Sequence, residues 1–120
     1  MDLPAIYADR DRFEQVIINL IENAVKYAEE DSDIIIQAGE EHNKVFIEIN
    51  NKYPLISRDK LKTLFDKFTR IDDKTTRTTR GTGLGLYIVK GLVDAMNGEV
   101  RLYSTEEFGF TVKIFFEKVD

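Results

Sequence analysis

Phe13, Val16, Ile17, Leu20, Ile21, Ala24 and Ala28 recur three and four positions apart. That period predicts a helix over residues 10–29 with one broad buried face. Asp9 or Asp11 is placed to cap its first turn by accepting from a free backbone N–H. Ahead of it, "AIYAD" (5–9) reads as a short strand. After it the period changes to two. "DIIIQAGEEHNKVFIEIN" predicts two strands around a polar turn at 39–43, and in the second Val45, Ile47 and Ile49 alternate with Phe46, Glu48 and Asn50. Pro54 ends that pattern, and Ser57 is suited to cap a short helix over 58–66 with Leu61, Leu64 and Phe65 inward. From Asp72 to Thr82 there is no apolar residue, so 66–83 is expected to be a long mobile loop, a kind of segment usually either functional or disordered. A further helix over 84–96 would bury Leu84, Ile88, Leu92, Ala95 and Met96, and Asn97 or Gly98 suits its left-handed cap. "EVRLYS" and "FTVKIFFE" alternate as two closing strands joined through Gly109. Together these predict one domain, an α/β (α+β) two-layer sandwich. Its mixed, largely antiparallel sheet of about five strands would carry three helices on one face.

Composition narrows the chemistry. A chain of 120 residues, 42% hydrophobic, supplies one ordinary core. It has no cysteine, which excludes disulfides and thiolate metal sites, and one histidine, which excludes a multi-histidine metal cluster. A net charge of −5 argues against a nucleic-acid partner, which would call for a basic field. No apolar run approaches the roughly 20 residues needed to span a bilayer. The stretch "MDLPAIYADR" has no basic region followed by an apolar one, so no signal peptide is read there and a cytoplasmic domain is expected.

Two stretches carry candidate chemistry. In "NLIENAVKY", Asn19, Asn23, Lys26 and Tyr27 stand at i, i+4, i+7 and i+8, along the edge of the apolar face. One reading is an amphipathic helix whose solvent edge carries polar residues. The other is a pocket wall: a carboxamide oxygen is a hard, neutral ligand that Mg2+ accepts beside phosphate oxygens and water, and lysine is a compact charge for phosphate. In "RGTGLGLYIVKG", Gly81, Gly83 and Gly85 precede an apolar helix. Free amides at a helix start attract anions, and glycine lets phosphate come close, so the stretch is a candidate phosphate cradle. The competing reading is a flexible hinge. It has neither GxGxxG spacing nor a P-loop Lys-Ser/Thr.

The two stretches, in this order and separation, resemble the catalytic ATP-binding domain of sensor histidine kinases, a Bergerat-type fold shared with gyrase-like and heat-shock ATPases. "NLIENAVKY" resembles the N box of that family, "LFDKF" (64–68) the F box and "RGTGLGLYIVK" the G2 box, and the likeness runs from Asp9 to Phe116. The resemblance implies roles. Asn23 would hold Mg2+ between the phosphates, supported by Asn19, and Lys26 would approach the phosphates. Tyr27 would lie against base or ribose. Phe65 and Phe68 would anchor a lid over 66–83, and Arg70 would reach the γ-phosphate. The backbone around Gly81, Thr82, Gly83, Leu84, Gly85 and Leu86 would hold the phosphate chain. Gly91, deeper in the helix, is expected to permit close packing. The G1 box departs from the family pattern "DxGxG": the stretch is "INNKYPLIS", with Asn51 at the Asp position, Asn50 as the alternative register, and no glycine following. A carboxamide there still accepts from the adenine amino group but lacks charge assistance, which implies binding weaker by about 1–2 kcal/mol.

Gyrase-like and heat-shock ATPases resemble one another in carrying a Glu four residues before the metal-binding Asn. Here that residue is Asn19, which takes no proton near neutral pH. Glu22 stands roughly 100° away round the helix. The resemblance therefore implies phosphoryl transfer to histidine rather than hydrolysis, mostly by positioning and charge stabilisation. His42 falls in the polar "GEEHNK" turn and reads as a solvated turn residue. The implied acceptor is a histidine on an upstream dimerisation segment absent from this chain. A response-regulator receiver domain is the implied downstream partner. The isolated domain is expected to be a monomer and the parent a homodimer, in soluble or membrane-anchored form. The alternative is a degenerate nucleotide-binding interaction module with weak or no catalysis.

Overall fold

Asp9 starts the first helix: its side chain accepts from the Arg12 backbone N–H at 3.1 Å, and α1 runs Arg10–Tyr27. A computed structural model of the chain describes residues 5–6, 8–66 and 85–119. The inner face of α1 is Val16, Leu20, Ala24 and Tyr27. Strand β1 (Ile34–Glu41) turns into β2 (Lys44–Asn51) through His42 and Asn43 alone, at φ 50° and 65°. Both left-handed residues give the two-residue turn whose twist suits a hairpin, so the turn is tighter than the predicted 39–43. Ser57 caps α2 (Arg58–Thr63) by accepting from the Lys60 N–H at 3.2 Å. That helix stops short of the predicted end, and Leu64, 1% exposed, plugs the core from the turn beyond it.

Helix α3 (Gly85–Ala95) ends as the sequence suggests, with Asn97 taking the left-handed position at φ 59°. The Asn97 N–H donates to the Asp94 carbonyl at 3.0 Å and the Gly98 N–H to the Val93 carbonyl at 2.9 Å, the paired bonds of a Schellman end. Gly98 is required for a different reason: a Cβ there would sit 2.7 Å from the Phe115 carbonyl oxygen. The buried face of α3 differs from the predicted one. Leu86, Val89 and Val93 point inward, Leu92 and Met96 flank them, and Ala95 is exposed. Gly91 also differs: a Cβ on it would meet nothing within 4 Å, so no close packing depends on it.

Strands β3 (Glu99–Thr105) and β4 (Gly109–Glu117) close the sheet, in the order β1-β2-β4-β3 with every pair antiparallel. Among the described residues the sheet has four strands rather than about five. "AIYAD" supplies an isolated bridge, Ile6 to Lys118, and Ala5 accepts from the Val119 N–H at 2.7 Å. Asp9 must already cap α1, which leaves no length for a ladder. Register puts Ile49, Asn51, Phe110, Val112, Ile114 and Phe116 on one face, where α1 and α3 pack over them, α1 on β2 and α3 on β3. Phe46, Glu48, Asn50, Thr111, Lys113 and Phe115 lie on the other face. This is the expected two-layer α+β sandwich with its helices on one side. The expected lid segment 66–83 lies outside the described residues apart from Asp66.

Candidate functional site

The site is built along one flank of α1. Helical period turns Asn19 and Asn23 towards α3, at the border of the apolar face. The Asn23 carboxamide oxygen lies 4.0 Å from where a Cβ on Gly85 would stand. Gly85 is the first residue of α3, and the first turn of that helix carries no acidic side chain. A hard neutral oxygen thus faces the first stretch of that helix. Such a stretch offers free N–H groups and the positive end of the helix dipole to an anion. Four residues earlier, the Asn19 Nδ2 is buried with no hydrogen-bond partner among the described residues. A buried donor left unmade costs about 1–3 kcal/mol, a cost that a ligand or water oxygen would offset.

The far end of α1 meets the end of β2. Tyr27 stands edge-on to Tyr53, centroids 6.1 Å apart, and the Glu29 N–H donates to the Lys52 carbonyl at 3.2 Å. Asn51 lies there, 2% exposed, among the apolar residues of the core face. Its Nδ2 donates to the Lys52 carbonyl at 3.2 Å. Asn50 is on the opposite face, held by bonds to the Phe108 carbonyl at 2.7 Å and the Thr111 Oγ1 at 2.8 Å. The two-residue period of the strand therefore assigns Asn51, not Asn50, to the helix side of the sheet. From Tyr27 back to Asn19 the helix covers about 12 Å, with the β2 end at one limit and the α3 start near Asn23.

The remaining expected residues are distributed as follows. Lys26 is exposed, its ammonium 5.8 Å from the Tyr27 ring centre. Tyr27, expected against a base or ribose, has most of its side chain in the core. Leu86 is also a core residue, 6% exposed, so its backbone is the part left for a ligand. Phe65 is half-buried against the core and lies 5.8 Å from the Lys90 ammonium on α3, which ties the F-box turn to that helix. Phe68, Arg70, Gly81, Thr82, Gly83 and Leu84 lie outside the described residues. His42 projects from the hairpin turn with its side chain 88% exposed. Tyr53 was not singled out by the sequence reading, although an aromatic ring two residues past a buried Asn was the available signal.

The donor set suits a metal that arrives with phosphate rather than a resident one. Among the described residues there is no group of three His, Cys, Asp or Glu side chains that could hold a metal. One carboxamide oxygen completes an Mg2+ shell only together with phosphate oxygens and water.

Comparison with known proteins gives the family. The profile of the histidine kinase-, DNA gyrase B- and HSP90-like ATPases matches residues 8–120. The chain belongs to that ATPase family. This ATPase domain is 36% identical over 106 residues to the sensor histidine kinase WalK of Bacillus subtilis, covering 87% of this chain and 17% of that protein. It is 34% identical over 99 residues to the signal transduction histidine-protein kinase BaeS of Escherichia coli, covering 82% of this chain and 21% of that protein. The chain thus spans about a fifth of the length of these relatives. Among solved structures, the catalytic domain of histidine kinase ThkA superposes with a TM-score of 0.73 at 29% identity, over 92% of this chain and 69% of that one. Full-length ShkA in complex with AMPPNP superposes with a TM-score of 0.73 at 30% identity, over 97% of this chain and 23% of that one. The ATPase domain is therefore of the kind found in sensor histidine kinases of two-component signalling.

Proposed function

We propose that the chain binds Mg-ATP between α1 and the start of α3 and donates the γ-phosphoryl group to a histidine on a dimerisation segment of its parent protein. The observation that carries this reading is the Asn23 carboxamide oxygen facing Gly85 at the head of α3. The phosphate chain would lie on the α3 amides, with Asn23 as the protein's ligand to Mg2+ and Asn19 donating its unpartnered N–H nearby. Adenine would lie towards Asn51 at the end of β2. ShkA holding an ATP analogue on a similar fold supports this. The metal, when bound, would neutralise charge on the phosphates.

In the transfer, a neutral imidazole nitrogen attacks the γ-phosphorus, the bond to the β–γ bridging oxygen breaks, and ADP leaves with the electron pair. Asn19 is not a base, so the chain positions the phosphates rather than activating water. Arg70 would stabilise charge on the γ-phosphoryl group. A receiver domain would then accept the phosphoryl group from histidine. The test is incubation of the chain with γ-labelled ATP and the dimerisation segment of its parent. Acid-labile, base-stable label on that segment, abolished by Asn23→Ala, supports the reading. Label released as inorganic phosphate with none on the segment contradicts it.

One observation favours a second reading. The Asn51 Nδ2 is engaged by the Lys52 carbonyl, and no glycine opens the backbone after it. A domain with so closed a base site would act as a nucleotide-poor interaction module. Absence of binding at millimolar nucleotide by a folded chain would select it.

A further inference from the structure

The two edges of the sheet are built differently. Along β3, Glu99 and Arg101 alternate and pair at 2.9 Å, which blunts that edge with charge. Strand β1 is the opposite edge, and its first six residues, "IIIQAG", hold no charge and no proline. Both of its faces are apolar and open. Ile36 pairs with Ile49 and so lies on the helix face, yet it is 56% exposed. Ile35, on the other face, is 49% exposed and lines a cavity of about 310 Å³ with Gln37, Glu48, Asn50, Phe108 and Thr111.

Helix α1 extends the open surface on the helix side. Ile18, Ile21 and Val25 are 53%, 38% and 63% exposed at i, i+3 and i+7. Ile21 is roughly 160° round the helix from Asn23. Asn23 faces α3, and α1 lies over β2, so the Ile21 flank is the one towards β1. A helix apolar on front and back is one that expects cover on both. Beyond the start of β1, Glu29, Glu30, Asp31 and Asp33 are exposed, and at its end stand Glu40 and Glu41.

We propose that this edge is a docking surface for an extended segment of a partner protein, added antiparallel to β1, with apolar residues at alternate positions and Lys or Arg at its C-terminal end. Alternation follows from the pleat: one set of side chains would meet Ile36 and the Ile21 flank of α1, the other Ile35 and Phe108. Basic residues at the C-terminal end follow from antiparallel pairing, which brings that end beside 29–33. Glu40 and Glu41, at the other end of β1, already pair with Lys118 at 2.7 Å and with Lys113 at 2.8 Å, so the call for positive charge on a partner comes from 29–33. The surface is on the far flank of α1 from the nucleotide site and is independent of it.

The test is an amide NMR titration of the chain with a short synthetic peptide alternating threonine and valine and ending in two lysines. Shifts concentrated on 34–39 and around Ile21, with new exchange protection of β1 amides that point away from β2, are expected. Ile36→Lys should weaken binding about tenfold or more while nucleotide affinity stays unchanged. The double variant Glu30→Lys, Asp33→Lys should weaken the lysine-ended peptide and favour one ending in two glutamates. No shifts at millimolar peptide, equal binding of a peptide with its valines contiguous, or a concentration-dependent dimer abolished by Ile36→Lys would each overturn the proposal.

Discussion

The buried, unpartnered amide of Asn19 sets function against stability at a single residue. Replacing a buried, unsatisfied polar group by an apolar one of similar shape is near neutral or stabilising. Asn19→Leu is therefore expected to raise the stability of the nucleotide-free chain by about 1 kcal/mol while abolishing nucleotide binding. Denaturant unfolding beside an ATP-analogue titration checks both halves, and a loss of stability would make Asn19 structural. At Asn51 the expected role is recognition of the base, so Asn51→Ala should bring the affinities for ATP and GTP analogues together, as competition binding would show. At Gly91, where a methyl meets nothing, Gly91→Ala should stabilise by about 0.5–1 kcal/mol, read as a rise in Tm. Residue-level reading left Asn50 and Asn51 as alternatives, and the strand register decides between them by putting Asn51 on the helix side. The reading failed at Gly91 because glycine in a helix reads alike whether it meets a neighbour or solvent.

Elements were legible in proportion to how sharply apolar and polar positions separate. The hairpin was clear because β2 alternates through Val45, Ile47 and Ile49, and α1 was clear because its buried stripe is continuous. Helix α3 was located but turned by the reading, because Leu86, Tyr87, Ile88, Val89, Leu92 and Val93 surround it with apolar side chains. The ion pair of Lys90 with Asp94 at 2.8 Å marks its solvent side, a cue that the apolar period hides. The first strand was over-read because five residues of β-like sequence cannot form a ladder and also cap a helix. Between elements, Lys113 on β4 bonds Glu41 at the end of β1 at 2.8 Å. That hydrogen bond first, and the lysine charge second among the lowering causes, hold the Glu41 carboxyl below its ordinary range. A depressed carboxylate stabilises the fold above its unfolded pKa, and the contribution is lost as pH falls through the folded value. Glu41→Gln should thus lower stability at neutral pH and flatten its decline below about pH 4.5, as thermal unfolding across pH would reveal.

For the whole molecule, α1 is the spine. Its inner face carries the core over β2, one flank faces α3 with Asn19 and Asn23, and its C-terminal end meets Asn51 and Tyr53. The two-layer arrangement was legible from the order of elements, and the nucleotide reading from the N, F and G2 boxes standing in register. What the sequence could not show was which side chains the fold brings together, such as Asn23 with Gly85, 62 positions later in the chain. The central claim is that this juxtaposition binds Mg-ATP. Calorimetric titration with AMPPNP, with and without Mg2+, on the wild type and on Asn23→Ala tests it most directly. The account predicts binding that requires Mg2+ and that falls at least about tenfold in the variant, a difference of ~1.4 kcal/mol. Binding indifferent to Mg2+ and to Asn23, or none at millimolar nucleotide from a folded chain, would contradict it.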